Sequence, residues 1–116
     1  MRFMFVALPI LMCSPAVAQE VPKAMRGVWA ASGNDCEAYY QNRAAPPTGD
    51  NLLVISRSEV RGRSSASVSQ AGAGAFQTNG SGFEGVRMNY RLRNGHILAE
   101  TIGDARAAGL FLRCAD

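Results

Sequence analysis

From residue 27 onward, apolar side chains come in short bursts or alternate with polar ones, and no stretch sustains the three-to-four-residue recurrence of an amphipathic helix. Gly, Pro, Asn and Asp separate these bursts, the pattern of an all-β domain. The segments that read as strands are 27–31 (GVWAA), 36–40 (CEAYY), 52–57 (LLVISR), 59–63 (EVRGR), 65–70 (SASVSQ), 74–78 (GAFQT), 85–93 (GVRMNYRLR), 96–102 (HILAETI) and 109–114 (GLFLRC). Between the second and third, "NRAAPPTGDN" is a loop, because Pro46-Pro47 and Gly49-Asp50 both interrupt strand pairing. The Gly-, Ala- and Ser-rich stretch 70–85 admits two readings, a floppy insertion or small residues at a tight barrel bend.

The sharpest local pattern is "GVRMNYRLRNGHILAETI". Asn94-Gly95 suits the two central positions of a type I′ turn, which pairs Arg93 with His96. Counting outward places Leu92 opposite Ile97, Tyr90 opposite Ala99 and Met88 opposite Thr101 on a core face. Arg87, Asn89, Arg91 and Arg93, with His96, Leu98 and Glu100, then occupy the wet face. The last segment, "LFLRC", is apolar on both faces except at Arg113, as befits a central or closing strand. Closing a small antiparallel sheet on itself removes its exposed edges. The expected architecture is therefore a small antiparallel, up-and-down β-barrel of about eight short strands.

The leader changes the domain count. Arg2, the apolar run Phe3–Met12 and the small residues Ala16 and Ala18 have the order of a secretory signal, with cleavage expected after Ala18. A run of about ten apolar residues is half of the ~20 that a spanning helix requires, so no membrane span is expected. The residues before Cys13 are too bulky for lipoprotein processing. Removing residues 1–18 leaves one domain, 19–116, with a modest core, in a periplasmic or secreted location.

In that oxidising setting Cys36 and Cys114 are expected to form a disulfide spanning most of the domain. A zinc site would need closely spaced Cys and His partners that the chain lacks, so no metal or other cofactor is implied. The formal net charge of the whole chain is only +3. Without a basic run interleaved with aromatics, the footprint of a nucleic-acid binder is missing.

Candidate chemistry is sparse. "GSGFEG" (Gly80–Gly85) matches a phosphate-binding glycine pattern, but a strand rather than a helix follows, so these glycines read as turn residues. Asn79-Gly80-Ser81 fits a glycosylation acceptor that a bacterial cell would leave idle. His96 is the only histidine, and Ser64, Ser65, Ser67 and Ser69 lie in no nucleophile-elbow context. Asp35, Glu37, Glu59, Glu84, Glu100 and Asp104 could supply paired carboxylates, yet each sits in a polar, turn-adjacent setting. Arg87, Arg91 and Arg93 stand out as three guanidiniums on one exposed strand face, each able to grip a carboxylate or phosphate with two donors.

Gly27-Val28-Trp29 near the start and "GLFLRC" at the end resemble the corresponding parts of calycin-type β-barrels. In the lipocalins of that group a Gly-x-Trp opens the first strand, and an Arg from near the barrel's end packs on the Trp. The resemblance gives that part to Arg113, stacked over Trp29. "GVWA", a Cys soon after and a terminal "RC" are also similar to small exported proteobacterial proteins of unassigned activity. The chain is far shorter than a lipocalin, which implies little interior room for a ligand. A further likeness is to the periplasmic inhibitors of c-type lysozyme, whose loop carries Ser-Gly-x-x-Tyr: Ser81-Gly82 is present, and Gly85 stands where the Tyr would be.

Together these readings point to an exported, non-enzymatic binding or inhibitor-like domain. Its partner would be a protein or an anionic envelope component, and its surface the Arg87/Arg91/Arg93 hairpin with the Ser81-Gly82 loop. Two alternatives remain: a small envelope hydrolase using His96 and a carboxylate, and a structural envelope protein without a defined ligand.

Overall fold

The computed structural model describes residues 19–79, 86–103 and 109–115. The expected leader, together with Ser81, Gly82, Glu84 and Asp104, lies outside them. Eight strands form a closed antiparallel barrel in simple chain order. They are β1 (Gly27–Ala30), β2 (Leu52–Ile55), β3 (Glu59–Arg61), β4 (Ser65–Gly72), β5 (Ala75–Thr78), β6 (Met88–Asn94), β7 (Ile97–Ile102) and β8 (Gly109–Arg113). The seam closes where Trp29 and Ala30 of β1 pair with Arg113 and Leu112 of β8. No strand edge is left for another chain to extend. Within 70–79 the small residues form a strand, a turn and a strand, with Gly74 at φ +70° between β4 and β5.

Period-two alternation along the strands sends Trp29, Leu53, Ile55, Val60, Phe76, Tyr90, Leu98 and Phe111 into one continuous core. Phe76 and Tyr90 stack with ring centroids 4.9 Å apart. At the end where the β2–β3 and β6–β7 turns lie, called the lower end here, Val21 and Met25 plug the barrel and are fully buried. The Val21 N–H donates to the Arg57 carbonyl at 2.8 Å, and Met25 closes a 3₁₀ turn, Lys23–Met25.

Two expectations are corrected. Residues 36–40 are not a strand but most of helix α1, Gly33–Tyr40. Ser32 caps it: its hydroxyl accepts from the Asp35 N–H at 3.3 Å and donates to the Asp35 carboxylate at 2.7 Å. Capping offsets the unsatisfied N–H groups that make so short a helix costly. The helix lies over the outer face of the seam, where Cys36, Tyr39 and Tyr40 pack with Val28, Ala30, Leu52 and Cys114. Cys36 and Cys114 are joined as expected, with Cα atoms 5.4 Å apart.

The β6–β7 register is the second correction. Arg93 does not pair with His96; Asn94 pairs with Ile97, Leu92 with Leu98, and Arg93 is the extra residue of a bulge. The Asn94 side-chain oxygen accepts from the His96 N–H at 2.8 Å, so Asn94 ends the strand and Gly95-His96 make the turn. Gly95 is not among the glycines at positive φ, and the type I′ expectation fails. Because side chains alternate, the one-residue shift turns all of β7 over. Leu98 and Glu100 pair with Leu92 and Tyr90 on the inner face, while Ile97, Ala99 and Thr101 lie on the outer face.

Candidate functional site

The two ends of the domain meet in a clasp. Trp29 is fully buried, and its indole N–H donates to the Met25 carbonyl at 3.0 Å. The Arg113 guanidinium sits 4.2 Å from the Trp29 ring centroid. One of its nitrogens donates to the Arg26 carbonyl at 2.9 Å, and another to the Ala24 carbonyl. Gly27 makes room: at φ +127° a side chain there would be strained, and its Cβ would lie 3.1 Å from the Arg113 Nη1. Gly27, Trp29 and Arg113 thus form one structural unit at the lower end, and nothing in it is set up for ligand chemistry.

The three candidate arginines are divided. Arg91 and Arg93 line a concave groove of about 550 Å³ on the outer face of β4–β7. Its surroundings are Gln70, Gln77, Asn89 and Thr101, and its floor is opened by the small residues Gly72, Ala75 and Ala99. Arg87 precedes β6 at the upper end of the barrel, away from that groove, and its carbonyl accepts from Gly103 N–H at 2.8 Å. The ion pairs among the described residues are Arg26 and Arg57 with Glu20, and Arg63 with Asp50. Arg87, Arg91 and Arg93 have no carboxylate partner among those residues. On the adjoining outer face of β8, Leu110 and Leu112 remain 52% and 45% exposed.

His96 is exposed in the lower β6–β7 turn, whereas Glu100 points into the barrel toward its upper end. Among the described residues no hydrogen bond or ion pair joins the His96 side chain to a carboxylate. The hydrolase pairing of His96 with Glu100 is therefore not assembled. Asp35 is occupied in the α1 cap.

The sequence reading missed a second concavity, inside the upper half of the barrel. The core fills the lower half only, and about 360 Å³ remains above it, bounded by Leu53, Val60, Ala66, Val86, Met88 and Ile102. Glu100 projects into this space, and the Tyr90 hydroxyl donates to its Oε2 at 2.7 Å. Burial raises the Glu100 pKa above the ordinary carboxylate range; the Tyr90 hydrogen bond pulls it back, and the nearby Asp50 charge raises it further. Burial, aided by the Glu100 charge and hydrogen bond, drives the Tyr90 hydroxyl well above the usual phenol range, so it acts as a donor. Asp50 and Arg63 are paired on the rim. Among the described residues no group of three or more His, Cys, Asp or Glu could hold a metal ion, and no helix is long and apolar enough to cross a membrane.

Searches for similarity to family models, to curated proteins and to solved structures give no match for this chain.

Proposed function

We propose that the chain is an exported, calycin-like, non-enzymatic binding domain that holds an anionic macromolecule or envelope component against the outer groove of β4–β7. The observation that carries this reading is the placement of Arg91 and Arg93, both without a carboxylate partner among the described residues, in one groove among amide and hydroxyl side chains. Guanidinium forks supply charge and paired donors for carboxylate or phosphate, and neighbouring amides add orienting hydrogen bonds. Leu110 and Leu112 add apolar contact area beside the charges, in the mixture of anchors and Arg that interfaces favour. The closed eight-stranded barrel and the Arg113–Trp29 stack support the calycin-like part. The leader pattern and the disulfide support export.

The test uses protein exported through its own leader and purified oxidised, titrated with poly-L-glutamate at low and moderate salt. Arg91→Ala/Arg93→Ala should weaken binding about tenfold or more and flatten its salt dependence. Arg61→Ala removes an exposed cation from β3, outside the groove, and should change little. Equal losses in the two variants would reduce the groove to a bystander of net charge.

A further inference from the structure

We propose that the upper end of the barrel is a second binding site, distinct from the outer groove, for a small organic monocation: an amine with a compact apolar body, its ammonium held by the Glu100 carboxylate. Shape and composition come first. The cavity of about 360 Å³ falls at the small end of ligand-sized pockets, and its wall is apolar on β2, β3, β4 and β6. Gly62 shapes its edge, because a Cβ there would come within 2.8 Å of the Leu53 side chain and 3.1 Å of the Gly49 carbonyl. A larger residue at that place would push the Leu53 side chain or the Gly49 backbone aside.

Charge then selects the ligand. Among the described residues, the ionisable groups facing this space are Glu100 from β7, Tyr90 from β6, Asp50 before β2 and Arg63 after β3. Arg63 is engaged by Asp50, and Tyr90 binds only Oε2 of Glu100. Glu100, which lines the cavity, therefore has its Oε1 with no cation beside it among the described residues. A carboxylate in an apolar hollow is costly unless paired, and a ligand ammonium is a partner that the described residues do not supply. Two carboxylates against one guanidinium among the described residues disfavour an anionic ligand. The bound cation would donate to Oε1 while Tyr90 keeps donating to Oε2, and its apolar part would lie against Leu53, Ala66 and Met88.

The test is calorimetric titration of the oxidised protein with 2-phenylethylamine and with its neutral counterpart 2-phenylethanol. The amine should bind with a Kd below about 1 mM and at least about tenfold more tightly than the alcohol. Glu100→Gln should level the two compounds, and Ala66→Phe, which fills the hollow, should abolish binding of both. Lowering the pH should weaken the amine selectively as Glu100 takes up its proton. Absence of saturable amine binding, equal binding of amine and alcohol by the unsubstituted protein, or a preference for the amine that survives in Glu100→Gln would overturn the assignment. Because none of these variants touches Arg91 or Arg93, failure here leaves the outer groove to be judged by its own test.

Discussion

Arg113→Met is the most direct probe of how the barrel is closed. The substitution keeps an unbranched apolar stem over Trp29 and removes the guanidinium with everything it holds. Three contacts are lost: a cation on the face of a fully buried indole, and hydrogen bonds to the Arg26 and Ala24 carbonyls. A desolvated cation–π contact is worth about 2 kcal/mol, and each bond from a charged donor to a carbonyl about 1.5 kcal/mol. Arg and Met give up similar rotamer freedom on folding, so the net loss should be about 5 kcal/mol. For a domain of this size that corresponds to a fall in Tm of about 20–40 °C.

Trp29 is the only tryptophan, so its fluorescence reports the clasp directly during urea unfolding. The midpoint should fall without a change in slope, since the same surface is exposed on unfolding. Arg113→Lys keeps the charge but not the fork, and its loss should be intermediate. A loss below about 1 kcal/mol for Arg113→Met would refute the reasoning, because the cation–π contact alone should exceed it.

Three further outcomes are expected. Cys36→Ser/Cys114→Ser frees a pair 78 residues apart, and chain entropy puts the cost at about 4.5 kcal/mol, measurable as a lower urea midpoint. Gly27→Ala should cost about 1–3 kcal/mol, and less in an Arg113→Met background where the crowding guanidinium is gone, so a double-mutant cycle should show coupling. For Glu100 the native pKa lies above the unfolded one, so the native state binds more protons across that window and stability declines as pH rises through it. Glu100→Gln, which can still accept from Tyr90, should therefore raise Tm at neutral pH and lose that advantage near pH 4.

The architecture was readable along the chain because strand alternation and turn residues are local signals. Eight of the predicted strand segments are strands, and the pairing of Cys36 with Cys114 follows from compartment and count. Helix α1 was missed for a physical reason. "CEAYY" alternates like a strand, and with eight residues the helix is too short to show a period; the signal present was Ser32-x-x-Asp35, a capping pattern. The arginine groove was half legible. Alternation places Arg91 and Arg93 on the outer face, but their shared concavity depends on Gly72 and Ala75, which other strands bring beside them.

Glu100 marks the boundary between the two kinds of information. Its identity and its place on a strand are written in the sequence, as are the closing strand and the residues that meet at the seam. Which way it points is not, because that depends on one bulged residue, Arg93, whose presence comes from how Asn94 bonds to His96 across the turn. A period of two carries no memory of an inserted residue, so a single slip exchanges core for solvent along a whole strand. The barrel's closure converts that slip into a carboxylate inside an apolar hollow. That juxtaposition exists only once all eight strands are paired.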